Sequence, residues 1–202
     1  MSEKEFFYTI DKTANAEFKD RGSRFIACAF PLETKEGFKI QLAAVKAEHP
    51  KASHYCFAYR IGLNGNNFRS GDDGEPSGTA GKPILGQIDS KELTNTLIIV
   101  VRYFGGSLLG VPGLINAYKT ATSLVLQVTP IVQKQVEINY RLQFDYTMMN
   151  DIMMVVKQYN CTVLSQEMQL FCSIAIGIPV NRVDSILNRL KDIRNVEVEK
   201  TK

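Results

Sequence analysis

Residues Leu97 to Val101 read LIIVV, five consecutive apolar side chains of which four are β-branched. Side chains of a strand alternate between two faces, so a run with no polar position leaves no face for water. The run therefore predicts a central strand covered on both sides. Gly105, Gly106, Gly110 and Gly113 follow at once, and they lead into a helix with the stripe Leu114, Tyr118, Ala121 and Val125, with Pro112 at its start. A strand, a glycine loop and a helix N-terminus in that order gather backbone N–H groups beside a positive dipole end, an arrangement that suits phosphate or carboxylate. Gly105, Gly106 and Gly110 are thus candidate contacts to an anion or an RNA backbone, bordered by Arg102 and Lys119. The alternative for Arg102 is a structural ion pair.

A second glycine-dense stretch precedes this one, RSGDDGEPSGTAGKPILG from Arg69 onward. Eleven of the fourteen glycines lie between Gly62 and Gly113, so either these loops bind something or they pack tightly on each other. Asp72, Asp73 and Glu75 could supply oxygen ligands to a hard cation. Asp-Gly and Glu-Pro are stronger turn signals, however, and the remaining ligands of a calcium loop are missing, so no metal is assigned. Nor is the stretch a nucleotide P-loop: Pro76 stands where the first glycine belongs, and Pro83 replaces the Ser or Thr after Lys82. The second loop lacks GxGxxG, which disfavours a dinucleotide fold, and no cofactor is expected. Arg60, Arg69, Lys82 and Arg102 are expected to converge around the two loops as a basic rim.

Charge is uninformative for the whole chain but uneven along it. The net charge of +3 belongs entirely to the first 135 residues, so attraction to phosphates requires local clustering there. Cys28, Cys56, Cys161 and Cys172 show no paired spacing, and they are read as reduced thiols. Cys161 and Cys172 flank an expected turn near Gln166, which makes them candidate cross-strand neighbours. The start MSEKEFFYTIDK is too polar for a signal peptide, and there is no apolar run near 18 residues, so a cytoplasmic protein without membrane contact is expected.

RGSRFIACAFPL reads as a strand, Thr34 to His49 as a helix capped by Thr34, with Phe38, Leu42 and Val45 inside, and HYCFAYRIG as another strand. His49 reads as a residue of the last helical turn beside the dipole, whereas His54 opens a strand aimed at the first loop. Farther on, Ile138, Tyr140, Leu142, Phe144 and Tyr146 alternate as in a half-buried strand. Met148, Ile152, Val155 and Tyr159 then repeat as in a helix. Thr162 to Ser165 and Leu170 to Ile178 are expected strands, and Asn181 is an expected cap for a helix through Val183, Ile186, Leu187, Leu190 and Ile193. Val196 and Val198 close a βαββαβ order, the ferredoxin-like pattern. The polar face of the first of these strands shows Asn139, Arg141, Gln143 and Asp145, with no aromatic platform for base stacking.

The segments EFKDRGSRFIA, AEHPKASHYCFAYRIG, SGDDGEPSGTAGKPIL and VVRYFGGSLLGVPGLINAY resemble the YigZ/IMPACT family over roughly residues 16 to 125. That resemblance marks Asp72, Asp73, Gly74, Glu75, Pro76, Gly78, Thr79 and Gly81 as its signature loop. It implies an α+β protein of two domains. Residues 1–132 would form a domain of βαβ type like the second domain of a small-subunit ribosomal protein; 136–202 would form a ferredoxin-like domain similar to the last domain of elongation factor G. It also implies a link to translation, since eukaryotic members regulate translation by competing for an activator of an initiation-factor kinase. No catalytic residues are established in the family. Where many members read GGGLVRAY, this chain has Pro112 and Asn116 in place of a glycine and a basic residue, which weakens a phosphate-binding helix start.

The sequence therefore points to a binding protein that recognises RNA, the ribosome or a translation factor without catalysis. Two alternatives stand beside it. One is an enzyme acting on a phosphorylated or carboxylated small molecule, with His54 or a loop carboxylate as acid/base; the other is a protein-binding module. An Arg and Lys rim around the loops favours RNA, an enclosed pocket favours an enzyme, and an open apolar patch favours a protein partner.

Overall fold

The computed structural model describes residues 4–63, 65–169 and 171–201. Its contacts separate two compact units: Phe7–Lys134, and residues 4–6 with the described residues from 135 onward. Residues 4–6, which the sequence reading assigns to the first domain, go with the second unit. The Glu5 carbonyl accepts a hydrogen bond from the Val136 N–H at 2.8 Å.

The first unit runs β1 (Phe6–Ile10), β2 (Ala14–Asp20), β3 (Ser23–Pro31), α1 (Lys35–Glu48), β4 (His54–Ile61), β5 (Asn67–Gly71), α2 (Gly81–Ser90), β6 (Thr96–Tyr103), α3 (Gly110–Val128) and β7 (Ile131–Gln135). Its main sheet has the order β2-β3-β6-β4-β5 with every neighbour antiparallel. β6 is central, as LIIVV requires. Leu97, Ile99 and Val101 pack with Phe38 and Val45 of α1, while Ile98 and Val100 pack on the other face with Ile84 and Ile88 of α2 and Leu114, Tyr118, Ala121 and Val125 of α3. α1 joins β3 to β4 with β6 inserted between them, so the βαβ unit is split by a third strand. Thr34 caps α1, accepting from the Gly37 N–H at 3.1 Å. β1 pairs with β7 in a separate ribbon.

One helix is absent from the sequence reading. α2 begins inside the stretch read as loop, with Pro83 in its first turn, where a missing N–H costs nothing, and with Ile84 and Ile88 buried one turn apart.

The second unit runs β8 (Glu137–Asp145), α4 (Met149–Gln158), β9 (Thr162–Met168), β10 (Phe171–Pro179), α5 (Val183–Lys191) and β11 (Val196–Lys200). Its sheet order is β11-β8-β10-β9, all antiparallel. Tyr140, Leu142, Phe144, Cys172, Ile174, Ile176 and Ile178 form one sheet face, and Ile152, Val155, Ile186 and Leu190 bring both helices onto it. Asn139, Arg141, Gln143 and Asp145 occupy the opposite, exposed face.

Several local expectations change. Tyr146 does not continue the alternation of β8; it opens a 3-10 turn, where Asp145 accepts from the Thr147 N–H, and its side chain is exposed. Asn181 does not cap α5, whose start has no side-chain cap, and its amide donates to Glu5 Oε2 at 3.1 Å. β9 extends to Met168, so the turn falls later than Gln166; Leu170, an expected strand start, lies outside the described residues. Cys172 consequently pairs with Met168 rather than lying beside Cys161, and all four cysteines are free. No described helix is long and apolar enough to cross a membrane.

Candidate functional site

Strand register fixes which loops meet. Ser23 opens β3 and His54 opens β4, both at the end where β6 finishes, because Arg24 pairs with Tyr103 and His54 with Arg102; Gly71 closes β5 opposite Phe57 of β4. The β2–β3 turn, the α1–β4 link and the loops after β5 and β6 therefore share one end of the sheet.

The loop after β5 is folded around Asp72. Its Oδ1 accepts from the N–H groups of Ala80 and Gly81 at 3.0 and 2.8 Å, and Oδ2 accepts from Gly78 at 2.9 Å. Burial alone would raise this carboxyl pKa, but the three backbone donors and the Lys82 charge hold it below the usual carboxylate value. Asp72 thus occupies the N-terminus of α2, the position an external anion would take. Asp73 Oδ2 accepts from the Tyr55 N–H at 2.7 Å. The Asp73 carbonyl lies 2.8 Å from His54 Nδ1, and a carbonyl can only accept, so His54 carries a proton on Nδ1. Gly74 packs near the same imidazole. Pro76 supplies the carbonyl that both the N–H and the hydroxyl of Thr79 bond, closing the turn.

Glu75 points inward. Its Oε1 accepts from Arg102 Nη1 at 2.6 Å and from the Tyr118 hydroxyl at 2.8 Å, and the Glu75 and Arg102 side chains are 4% and 5% exposed. Arg102 also donates to Ser23 Oγ at 3.3 Å and lies against the rings of Phe25 and Phe104. Its Nε is a buried polar atom without a hydrogen-bond partner among the described residues. His54 Nε2 stands 3.9 Å from Glu75 Oε1, and Cys56 Sγ reaches the Asp72 carbonyl at 2.9 Å and Tyr118 Oη at 3.3 Å. Burial pushes the thiol of Cys56 and the phenol of Tyr118 well above their ordinary pKa values, which leaves Cys56 a protonated core residue rather than a nucleophile. The three carboxylates thus turn to three different sets of internal partners. Together they tie the loop to β4, β6 and α3.

The second glycine loop is partly a packing device. A Cβ on Gly105 would collide with the backbone of Gly22 and the Ser23 nitrogen, and one on Gly81 would come within 2.7 Å of the Gly71 nitrogen. Gly106 differs, since its φ of +84° requires glycine while the space beside it is open. Gly110 opens α3, whose start has no side-chain cap.

The expected basic rim is not assembled. Arg60 lies on the α2 side of the sheet at the far end of β4, where it pairs with Asp89 at 2.7 Å. Six residues from His54, it stands about 20 Å along the strand from the loops. Arg69 projects to the opposite, α1 side, over the ring of Phe57. Arg102 is consumed by Glu75. Lys82 is exposed in the first turn of α2, and Lys119 is exposed farther along α3. What the loop after β6 and the first turns of α3 do present is apolar: Phe104 and Leu108 of the loop and Val111 and Ile115 of the helix are exposed, Leu108 by 84%. The sequence reading lacks this patch: Ile115 falls outside the buried stripe of α3, but Val111, three residues before Leu114, keeps the stripe's spacing and Leu108 precedes the helix, so periodicity alone does not mark it.

The profile of the Impact N-terminal domain matches residues 21–126, spanning both loops, α1, α2 and most of α3. The chain belongs to the IMPACT family. It is 33% identical to the IMPACT family member YigZ of Escherichia coli over 84% of each chain. It is 31% identical to an IMPACT family member of Haemophilus influenzae over 92% of this chain and 91% of that one. A solved structure described as that of a hypothetical protein superposes with a TM-score of 0.76 at 28% identity, covering 99% of both chains. The similarity therefore extends through the second unit as well as the first.

Proposed function

We propose that this chain is a translation-associated binding protein without catalytic activity, and that its loop after β6 recognises a protein component of the translation machinery. One observation carries the choice of partner: Glu75 and Arg102 are buried against each other and the Asp72 carboxylate is taken up by backbone N–H groups of its own loop, while Phe104, Leu108, Val111 and Ile115 are exposed. Clustered exposed apolar side chains mark protein interaction sites, whereas RNA needs convergent cations. Membership of the IMPACT family supplies the link to translation. The split β3–α1–β4 unit supports the likeness to a ribosomal-protein domain. The order β11-β8-β10-β9 supports the ferredoxin-like reading of the second unit and its likeness to the last domain of elongation factor G.

Affinity capture from lysate, with and without nuclease, tests this reading. Wild-type protein is expected to retain a translation protein after nuclease treatment, and Leu108→Asp to lose it while unfolding at an unchanged denaturant concentration. Capture that disappears with nuclease and survives Leu108→Asp would instead establish RNA recognition.

A further inference from the structure

The two edges of the second sheet are built differently. β11 reads VEVEK, three charges in five residues; β9 reads TVLSQEM, one charge in seven, with neither Lys, Arg nor Pro. Among the described residues β9 pairs only with β10, and every one of its residues is exposed. Val163, Leu164 and Met168 are 41%, 49% and 54% exposed on this edge. Sheet edges carry unpaired N–H and C=O groups, and proteins that remain monomeric guard them with charge, proline, short length or a bulge. β11 is guarded by charge. The guard on β9 is one irregularity, a register shift between Ala175 and Ile176 of β10 that leaves Leu164 unpaired and Ser165 to Met168 in regular register.

We propose that β9 is a self-association edge, on which a second copy of this chain adds its own β9 antiparallel to form one continuous eight-stranded sheet. Charge placement selects this occupant. A two-fold axis between the two Gln166 residues lies within the regular stretch Ser165 to Met168 and sets each Glu167 opposite a neutral side chain, Ser165 of the other copy. The equivalent pairing of β11 about Val198 would set Glu197 directly opposite Glu199, and like charges facing across a ladder repel. Such an axis keeps the helices of both copies on one side, as closed two-fold symmetry requires. The apolar side chains of the two edges then cover one another.

Sedimentation equilibrium of the full chain over a concentration series tests the assignment. Wild type is expected to dimerise reversibly. Gln166→Lys and Gln166→Glu, exposed single substitutions that leave the core alone, are each expected to weaken dimerisation about tenfold or more by placing like charges at the axis. An equimolar mixture of the two variants is expected to regain association, because the charges then oppose. Wild type that stays monomeric throughout, dimers indifferent to both substitutions, or a mixture no stronger than its components would each overturn the proposal. Circular dichroism of each variant confirms that the fold is retained.

Discussion

Arg102 and Glu75 carry opposite charges at 2.6 Å in a place that water barely reaches. Breaking a buried pair on one side strands the other charge, which costs about 3–5 kcal/mol, whereas replacing both members by neutral groups costs much less. Arg102→Met is therefore expected to destabilise the first unit by about 3–5 kcal/mol, and Glu75→Gln in the same chain to restore part of that loss. Urea unfolding of the single and double variants measures it. A single substitution costing under about 1 kcal/mol would show that the pair behaves as a solvated one. The ion pair is the alternative that the sequence leaves open for Arg102. Glu75 as its partner is not legible, because 27 residues separate the two and only the β4–β6 register and the turn around Asp72 bring them together.

At the scale of elements, the two glycines of RYFGG have different physical reasons and separate experimentally. Gly105 lies against the β2–β3 turn with no room for a side chain, so Gly105→Ala must displace backbone and is expected to cost about 3 kcal/mol or more. Gly106 has open space and only its left-handed φ to satisfy, so Gly106→Ala is expected to cost about 1 kcal/mol. Thermal or urea unfolding of both variants checks the order, and equal costs would remove the packing explanation. Elements with a clean period were legible: LIIVV as the buried centre, the α3 stripe, and the alternation of Tyr140, Leu142 and Phe144. α2 was not, because only Ile84 and Ile88 carry its period and three glycines with two prolines surround its start. The end of β9 was misplaced for a related reason, since SQEM has neither alternation nor a breaker to mark it.

For the whole molecule, the positive charge of the first 135 residues suggests RNA until the sheet distributes it. Residues nine apart along the chain, Arg60 and Arg69 stand on neighbouring strands yet leave opposite faces, because Arg69 pairs with Tyr59 rather than with Arg60. One rigid surface cannot present both to the same strand of phosphates. With Arg102 neutralised by Glu75 and Arg69 exposed on the other face, Lys82 is the exposed cation of the expected rim left on this side, and Lys119, expected to border the second loop, is exposed as well. Each phosphate contact on single-stranded RNA contributes a log-log salt slope of about −0.7, so two contacts give about −1.4, whereas a converged rim of three or four would give about −2 to −3. Titrating the full chain with a labelled oligonucleotide of uridines across salt concentrations is expected to give the shallower slope and weak binding at physiological salt. Lys82→Ala should reduce that slope by no more than one contact. A slope as steep as −2 to −3 would mean that other cations, brought together by a rearrangement of the loops, form the recognition surface, and RNA would then displace a protein as the partner of this site.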